Sequence, residues 1–344
     1  MKKFLLHFIL CLCLYVHVLP ASAQDIHFSQ IFETPLLRNP GLAGLFSGDV
    51  RVQSVYRSQW NSITDAYKTV SLNAEYKIPV GQGDDFVTLG GQVLYDKAGT
   101  VALTSTHILP VLNYHKSLGA DKSKYISMGL MGGYVQRSID RSKMTTNSQF
   151  DGSGYNEGLS NGEAMANGSY GYFDGSAGIS FNSQIGENPD NNFFVGAAYH
   201  HFNKPKKISF YSDNKLEMAP KWVGSAGVRM GITESSYFTI EADYSQQGNY
   251  TETTAGVLYS WKLDDVENPK YLFHAGAYLR LKDAMIPVAK IEFKPLAVAV
   301  SYDANISPLK VGSKGRGGFE LSVIYQKYLD RYNSSRDAVR CPKF

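Results

Sequence analysis

The stretch Val70-Ser71-Leu72-Asn73-Ala74-Glu75-Tyr76-Lys77-Ile78 alternates apolar and polar residues without a break. Successive side chains of a strand point to opposite faces. Val70, Leu72, Ala74, Tyr76 and Ile78 therefore share one face, and Ser71, Asn73, Glu75 and Lys77 the other. The period returns downstream. Phe238, Ile240, Ala242 and Tyr244 oppose Thr239, Glu241, Asp243 and Ser245, and Leu296, Val298, Val300 and Tyr302 oppose Ala297, Ala299, Ser301 and Asp303. Phe319, Leu321, Val323 and Tyr325 oppose Glu320, Ser322 and Gln326, with Ile324 breaking the pattern. Charged faces are costly inside a dry sandwich core, but they suit strands whose apolar face meets lipid and whose polar face lines a lumen. A soluble β-sandwich gives similar alternation with the faces exchanged, so export and strand count decide between the two.

The period predicts an all-β fold: a transmembrane antiparallel β-barrel of about 14 strands between residues 49 and 328. The seventh strand is expected near 192–203. Long connections at 138–168, 204–219 and 305–316 then fall on one side of the membrane. The tight ones at 233–235 and around Pro295 fall on the other, which is the asymmetry expected of outer-membrane barrels. Tyr76, Tyr244, Tyr302 and Tyr325 sit near the ends of their apolar faces, where interfacial girdles form.

Export is written at the start of the chain. Lys2 and Lys3 precede an apolar run from Phe4 to Leu19, and Ala21-Ser22-Ala23 offers a small-x-small cleavage site. Residues 1–23 read as a signal peptide and Gln24 as the mature start. Cys11 and Cys13 belong to that leader, leaving Cys341 without an intrachain partner. No disulfide framework holds the fold, and Cys341 is left to another chain, a small thiol or nothing. The net charge of +3 falls close to neutrality without Lys2 and Lys3, which excludes a nucleic-acid binder of the usual basic kind. The 32 glycines and 23 tyrosines fit many strands with aromatic belts.

Chemistry is hard to find. His200 and His201 are adjacent on an expected strand and should point to opposite faces, so they cannot chelate together. His107 could pair with a serine on a neighbouring strand, as barrel hydrolases require, but many barrels offer such a pair by chance. Asp151 to Glu157 resembles a calcium loop until Tyr155 takes a position that needs an oxygen ligand. Gly315-Arg316-Gly317-Gly318 has the glycines of a phosphate loop without its lysine or its helix. The expectation is no enzyme, no metal and no cofactor.

Asn39-Pro40-Gly41 reads as a turn: the proline extends Asn39, and Gly41 permits positive φ. Residues 24–48 would form a periplasmic arm or a plug in the lumen mouth. Arg57 shares the inward face of the first strand with Arg51 and Gln53, and needs a lumenal carboxylate such as Glu75 on the next strand. Trp60, at the outer strand end, reads as an interfacial anchor.

These residues also carry a resemblance. Gln24-Asp25-Ile26-His27-Phe28-Ser29-Gln30, Asn39-Pro40-Gly41-Leu42-Ala43-Gly44 and Tyr56-Arg57-Ser58-Gln59-Trp60 match the opening of the PorP/SprF family of type IX secretion membrane proteins of Bacteroidetes. Ser301-Tyr302-Asp303-Ala304-Asn305-Ile306-Ser307, Gly317-Gly318-Phe319-Glu320-Leu321-Ser322 and the terminal Cys341-Pro342-Lys343-Phe344 are similar to its later signatures. The resemblance implies a non-enzymatic outer-membrane component with both termini periplasmic. It implies partners too: a secreted adhesin-like protein with a C-terminal sorting domain, as in gliding motility, other type IX components, and outer-membrane lipid. Phe28, Ser29, Gln30, Asn39, Pro40, Tyr56, Arg57, Gln59, Trp60 and Cys341 become the candidate partner-binding residues, and 329–344 a periplasmic docking tail. A porin or small-solute channel is the alternative.

Overall fold

Fourteen antiparallel strands close on themselves, so no sheet edge is left to pair with another chain or to face lipid unsatisfied. The computed structural model describes residues 25–60, 65–81, 84–119, 123–165, 167–188, 190–206, 208–211, 216–308, 310 and 316–330. The leader, its cleavage site and Cys341 lie outside them. The strands are β1 (Val50–Gln59), β2 (Tyr67–Pro79), β3 (Phe86–Ala98), β4 (Leu103–Ser117), β5 (Lys124–Ser138), β6 (Ser169–Gln184) and β7 (Asn192–His200). They continue as β8 (Lys221–Thr233), β9 (Ser236–Gln247), β10 (Tyr250–Lys262), β11 (Tyr271–Arg280), β12 (Ala284–Phe293), β13 (Leu296–Asn305) and β14 (Arg316–Lys327). Each pairs with its sequence neighbours, and β1 pairs with β14 from Val50↔Lys327 to Gln59↔Gly318 to complete the ring.

The alternation resolves as apolar outside and polar inside. On β9, Ile240 is 49% exposed on the outer surface and Glu241 only 3% exposed toward the lumen. Leu72 and Tyr76 face out from β2, while Ser71, Asn73, Glu75 and Lys77 are buried inside. Outward aromatics gather near both strand ends: Trp261 stacks on Phe273 with centroids 5.7 Å apart, and Tyr199 lies 4.3 Å from Trp222. These are the girdles expected at two membrane–water boundaries.

The long connections 139–168 and 201–220 emerge at one end of the barrel, here the loop end. The other, the turn end, carries the start of β1, the end of β14 and connections no longer than 263–270. The seventh strand ends at His200 rather than near 203. His201 adopts φ 56°, a left-handed conformation that breaks the strand period.

Residues 25–48 occupy much of the lumen. Residues 25–48 carry 3-10 turns at Ile31–Glu33 and Pro40–Leu42 and a single helical turn at Pro35–Arg38, and they are almost entirely buried. These residues lie against inward side chains of the barrel wall. Asp25 lies at the loop end against Gln247 and His201, whereas Asp49 bonds Lys327 at the turn end. The segment therefore runs the length of the lumen, and its first described residue is at the end opposite to the one expected of a periplasmic arm.

If the outer face meets lipid, Ile240→Arg costs about 2–4 kcal/mol, the range for a cation near the bilayer midplane. Denaturant-induced unfolding in lipid vesicles measures it; a change within about 0.5 kcal/mol would place that face in water.

Candidate functional site: a latched plug in the lumen

The middle of the plug is held by shape and neutral hydrogen bonds. Asn39 is extended (φ −162°, ψ 118°), as a residue before proline must be. Its Oδ1 accepts from the Gly41 N–H at 2.7 Å, and its Nδ2 donates to the Ile179 carbonyl of β6 at 3.0 Å. This turn rests on bare backbone. A Cβ on Gly178 would fall 1.9 Å from Asn39 Oδ1, and one on Gly129 2.2 Å from the Pro40 carbonyl oxygen. Inward side chains then take the plug carbonyls: Ser127 and Ser180 donate to Gly41 O at 2.6 and 2.9 Å, and Asn113 donates to Ala43 O at 2.8 Å. Toward the turn end the Gly44 N–H donates to Glu75 at 2.7 Å, and Arg51 and Lys77 lie over the Phe46 ring at 4.5 and 4.3 Å.

The first part of the plug is held by charge. The N–H groups of Ser29 and Gln30 donate separately to the two oxygens of Glu320, at 2.7 and 2.8 Å. The Ser29 hydroxyl donates to Asp303 at 2.7 Å, and Gln30 Nε2 to Ser301 at 3.1 Å. Arg57 reaches Asp303 at 3.0 Å, Glu320 at 3.3 Å and the His27 carbonyl at 2.6 Å. Arg280 reaches Asp303 at 3.1 Å and also donates to the Ser29 hydroxyl. Two arginines thus balance two carboxylates, all buried, with the plug backbone wedged among them. Such a cluster is stable only while every member keeps its partners.

Three further pairs fix the plug. Arg38 bonds Asp243 on β9 (2.6 Å), Glu33 bonds Lys290 on β12 (2.9 Å), and Asp25 bonds His201 (2.7 Å). His201 is bracketed on its other nitrogen by Asp174 at 2.8 Å. Burial disfavours its charge, but Asp25 and Asp174 outweigh it and push His201 up to about 10. Burial would raise Asp25, yet His201 and Lys221 hold it well below the usual carboxylate range.

Several expectations change here. Arg57 does not pair with Glu75: Arg51 does, at 2.6 Å, because Arg51 is the residue opposite Glu75. Arg57 lies opposite Glu320 across the closing β1–β14 seam. His200 and His201 do not diverge. The left-handed turn brings both inward, His200 onto Ser176 (3.0 Å) and the Arg38 carbonyl (3.1 Å). His107 finds a serine on its own strand, Ser105, at 2.9 Å. Asp151 spends its carboxylate on the N–H groups of Ser153 and Gly154 and on Asn156, and no metal-binding cluster occurs among the described residues.

Phe28, Ser29, Gln30, Asn39, Pro40 and Arg57 therefore converge on the plug. Phe28 packs on Val55 and Leu94. Tyr56 points to the lipid side and Gln59 to the lumen rim. Trp60 follows β1 at the loop end, half-buried with φ 61°. The glycine seat and Arg280 carried no sequence signal that would single them out.

With this geometry in place, the fold defines the class: a closed antiparallel β-barrel whose separated sequence motifs meet inside it. A family model described as type IX secretion system membrane protein PorP/SprF matches residues 21–325, and the chain belongs to that family. Among solved structures it is similar to the Ralstonia pickettii toluene transporter TbuX: 9% identity, 86% of this chain and 93% of that one, TM-score 0.49. It is also similar to the CymD monoaromatic hydrocarbon channel (7%, 90% and 96%, 0.48) and the P. putida toluene transporter TodX (10%, 84% and 94%, 0.45). A search of curated protein sequences found no match.

Two outcomes follow from the latch. Arg57→Met leaves buried carboxylates short of a partner and costs about 3–5 kcal/mol in denaturant unfolding. Tyr56→Phe, on the lipid side, stays within about 0.5 kcal/mol. The His201 pair has a pH signature. Because His201 is raised in the folded state, its contribution is full below the unfolded value of about 6.5 and is lost as pH rises through about 10. Protease sensitivity of the first plug residues should rise across that window in the wild type and be flat in His201→Gln.

Proposed function

We propose that this chain is a non-enzymatic outer-membrane component of type IX secretion that supports secretion or surface attachment of an adhesin-like partner with a C-terminal sorting domain. The observation that carries the reading is that the family motifs close the lumen. Ser29, Gln30, Arg57, Asp303 and Glu320 are engaged with one another, which a passive pore does not require. A passive porin predicts a lumen that stands open, and the plug argues against that.

In this reading the turn end faces the periplasm and the loop end the exterior. Partner contact falls to the loops, because most motif residues are committed inside. The 139–168 loop offers a shaped tip: Phe150 pairs with Tyr155 across the turn capped by Asp151, and both rings are exposed. Exposed aromatics on a rigid turn suit a protein partner. The tail beyond Asp330, with Cys341, is assigned to periplasmic machinery.

Affinity purification of the tagged protein in mild detergent from its native outer membrane should recover a surface protein with a C-terminal sorting domain or type IX components. Deleting the gene should strand that surface protein inside the cell. Recovery of the barrel alone, with unchanged surface proteins in the deletion strain, would falsify the reading.

A further inference from the structure

The plug is held in two unlike ways, and the difference follows its length. Residues 39–44 are keyed into the glycine seat on β5 and β6 mainly by neutral hydrogen bonds to backbone carbonyls, with the Gly44 N–H on Glu75 at its end. Residues 25–33 form a strap whose polar ties are mostly to charged groups, Asp25 to His201, Ser29 and Gln30 to Glu320 and Asp303, Glu33 to Lys290, while Phe28 and Ile31 pack on apolar wall residues. Shape keying depends on close fit along its whole length, whereas the ionic cluster lets go as a unit once water or other charged groups reach its members together.

Below the strap lies a cavity of about 570 Å3 at the turn end. Its wall comes from β8 to β14 and carries both signs of charge, including Arg229, Lys262, Glu241 and Glu292. Its plug-side wall includes Phe32, which stacks on Tyr278 with centroids 5.4 Å apart. Beside it, Ile31 packs with Leu258, Tyr278, Ile286 and Val288 as a dry septum. Ile31 and Phe32 belong to the strap. Among the described residues, that septum, Arg38 on Asp243 and Glu241, and the ionic ties of the strap stand between the cavity and the loop end along this wall.

We infer that the strap is a gate: residues 25–33 swing out at the loop end while 39–44 stay seated, joining the cavity to the outside as an aqueous conduit along β8–β14. The charged wall hydrates once Ile31 and Phe32 leave, so the passage conducts ions. This is independent of which protein partner the barrel serves, since current is read from the purified barrel alone.

Planar-bilayer recording tests it. The wild type rests closed, and Asp303→Asn with Glu320→Gln gives steady stepwise current. Ser127→Ala with Ser180→Ala, which loosens only the seated half, stays closed. If the latch variant inserts as a folded barrel and stays closed, or the seat variant opens equally, the gate is wrong. Should the latch variant fail to fold, Arg280→Lys keeps the charge and loses the shared contact to Ser29 and Asp303. It is expected to open in bursts, and unbroken closure in it overturns the inference as well.

Discussion

Asp303 and Glu320 set the terms for the whole molecule. Two carboxylates buried deep in a barrel have little water to solvate them, and their mutual repulsion adds to the cost of burial. Arg57 and Arg280 cancel the charge, and Asp303 Oδ2 and both Glu320 oxygens take further donors. The plug backbone supplies two N–H groups and the Ser29 hydroxyl supplies a third. The barrel wall is thus incomplete without residues 25–33. A polar lumen of this kind is built to be occupied, which distinguishes it from a lumen built to be wet.

The glycine seat answers a different problem. An extended turn with three carbonyls to satisfy must approach the wall closely, and side chains would hold it off. Gly129 and Gly178 remove them where Asn39 and Pro40 press, while Asn113, Ser127 and Ser180 stand close by with donors. Removing Cβ atoms weakens strand propensity, yet β5 and β6 keep their pairing from Lys124↔Ser183 to Ser138↔Ser169. The full ladder on both sides supports glycines that an isolated strand would tolerate poorly.

How much of this could be read in the chain depends on the range of the interaction. The period through Val70–Ile78 gave the faces, because alternation is local. The Asn39-Pro40-Gly41 turn was legible for the same reason, but its seat lies some 90 to 140 residues further on, and a glycine in a strand announces only that something comes close. The strand pattern points Arg57 to a counter-ion on β2, but Thr69 stands opposite it there. Closure of the ring gave the other neighbour, Glu320, a residue already visible in a motif whose partner was not. His201 was missed because one residue at φ 56° inverts a face assignment, and nothing in His200-His201-Phe202 requires it. The latch was present in the sequence as separate motifs; only the barrel's circumference brings them together.

That circumference also bears on how the strap is held. Ser29 reaches Glu320 across 291 positions of chain. Closing a flexible loop of that length costs about 5 kcal/mol by (3/2)RT ln n, which would leave a latch of a few hydrogen bonds marginal on its own. The β1–β14 seam, however, already closes the chain from Val50↔Lys327 to Gln59↔Gly318. Once it forms, only the short stretch between Gln30 and Val50 remains to be ordered, and the Asn39 seat fixes most of that. The latch therefore adds its hydrogen bonds to an entropy cost met elsewhere. Releasing the strap gives up the latch contacts and returns the freedom of a few residues, while the seam and the seat stay intact. A short, charge-tied segment beside a fixed wall can detach and return without unfolding the barrel.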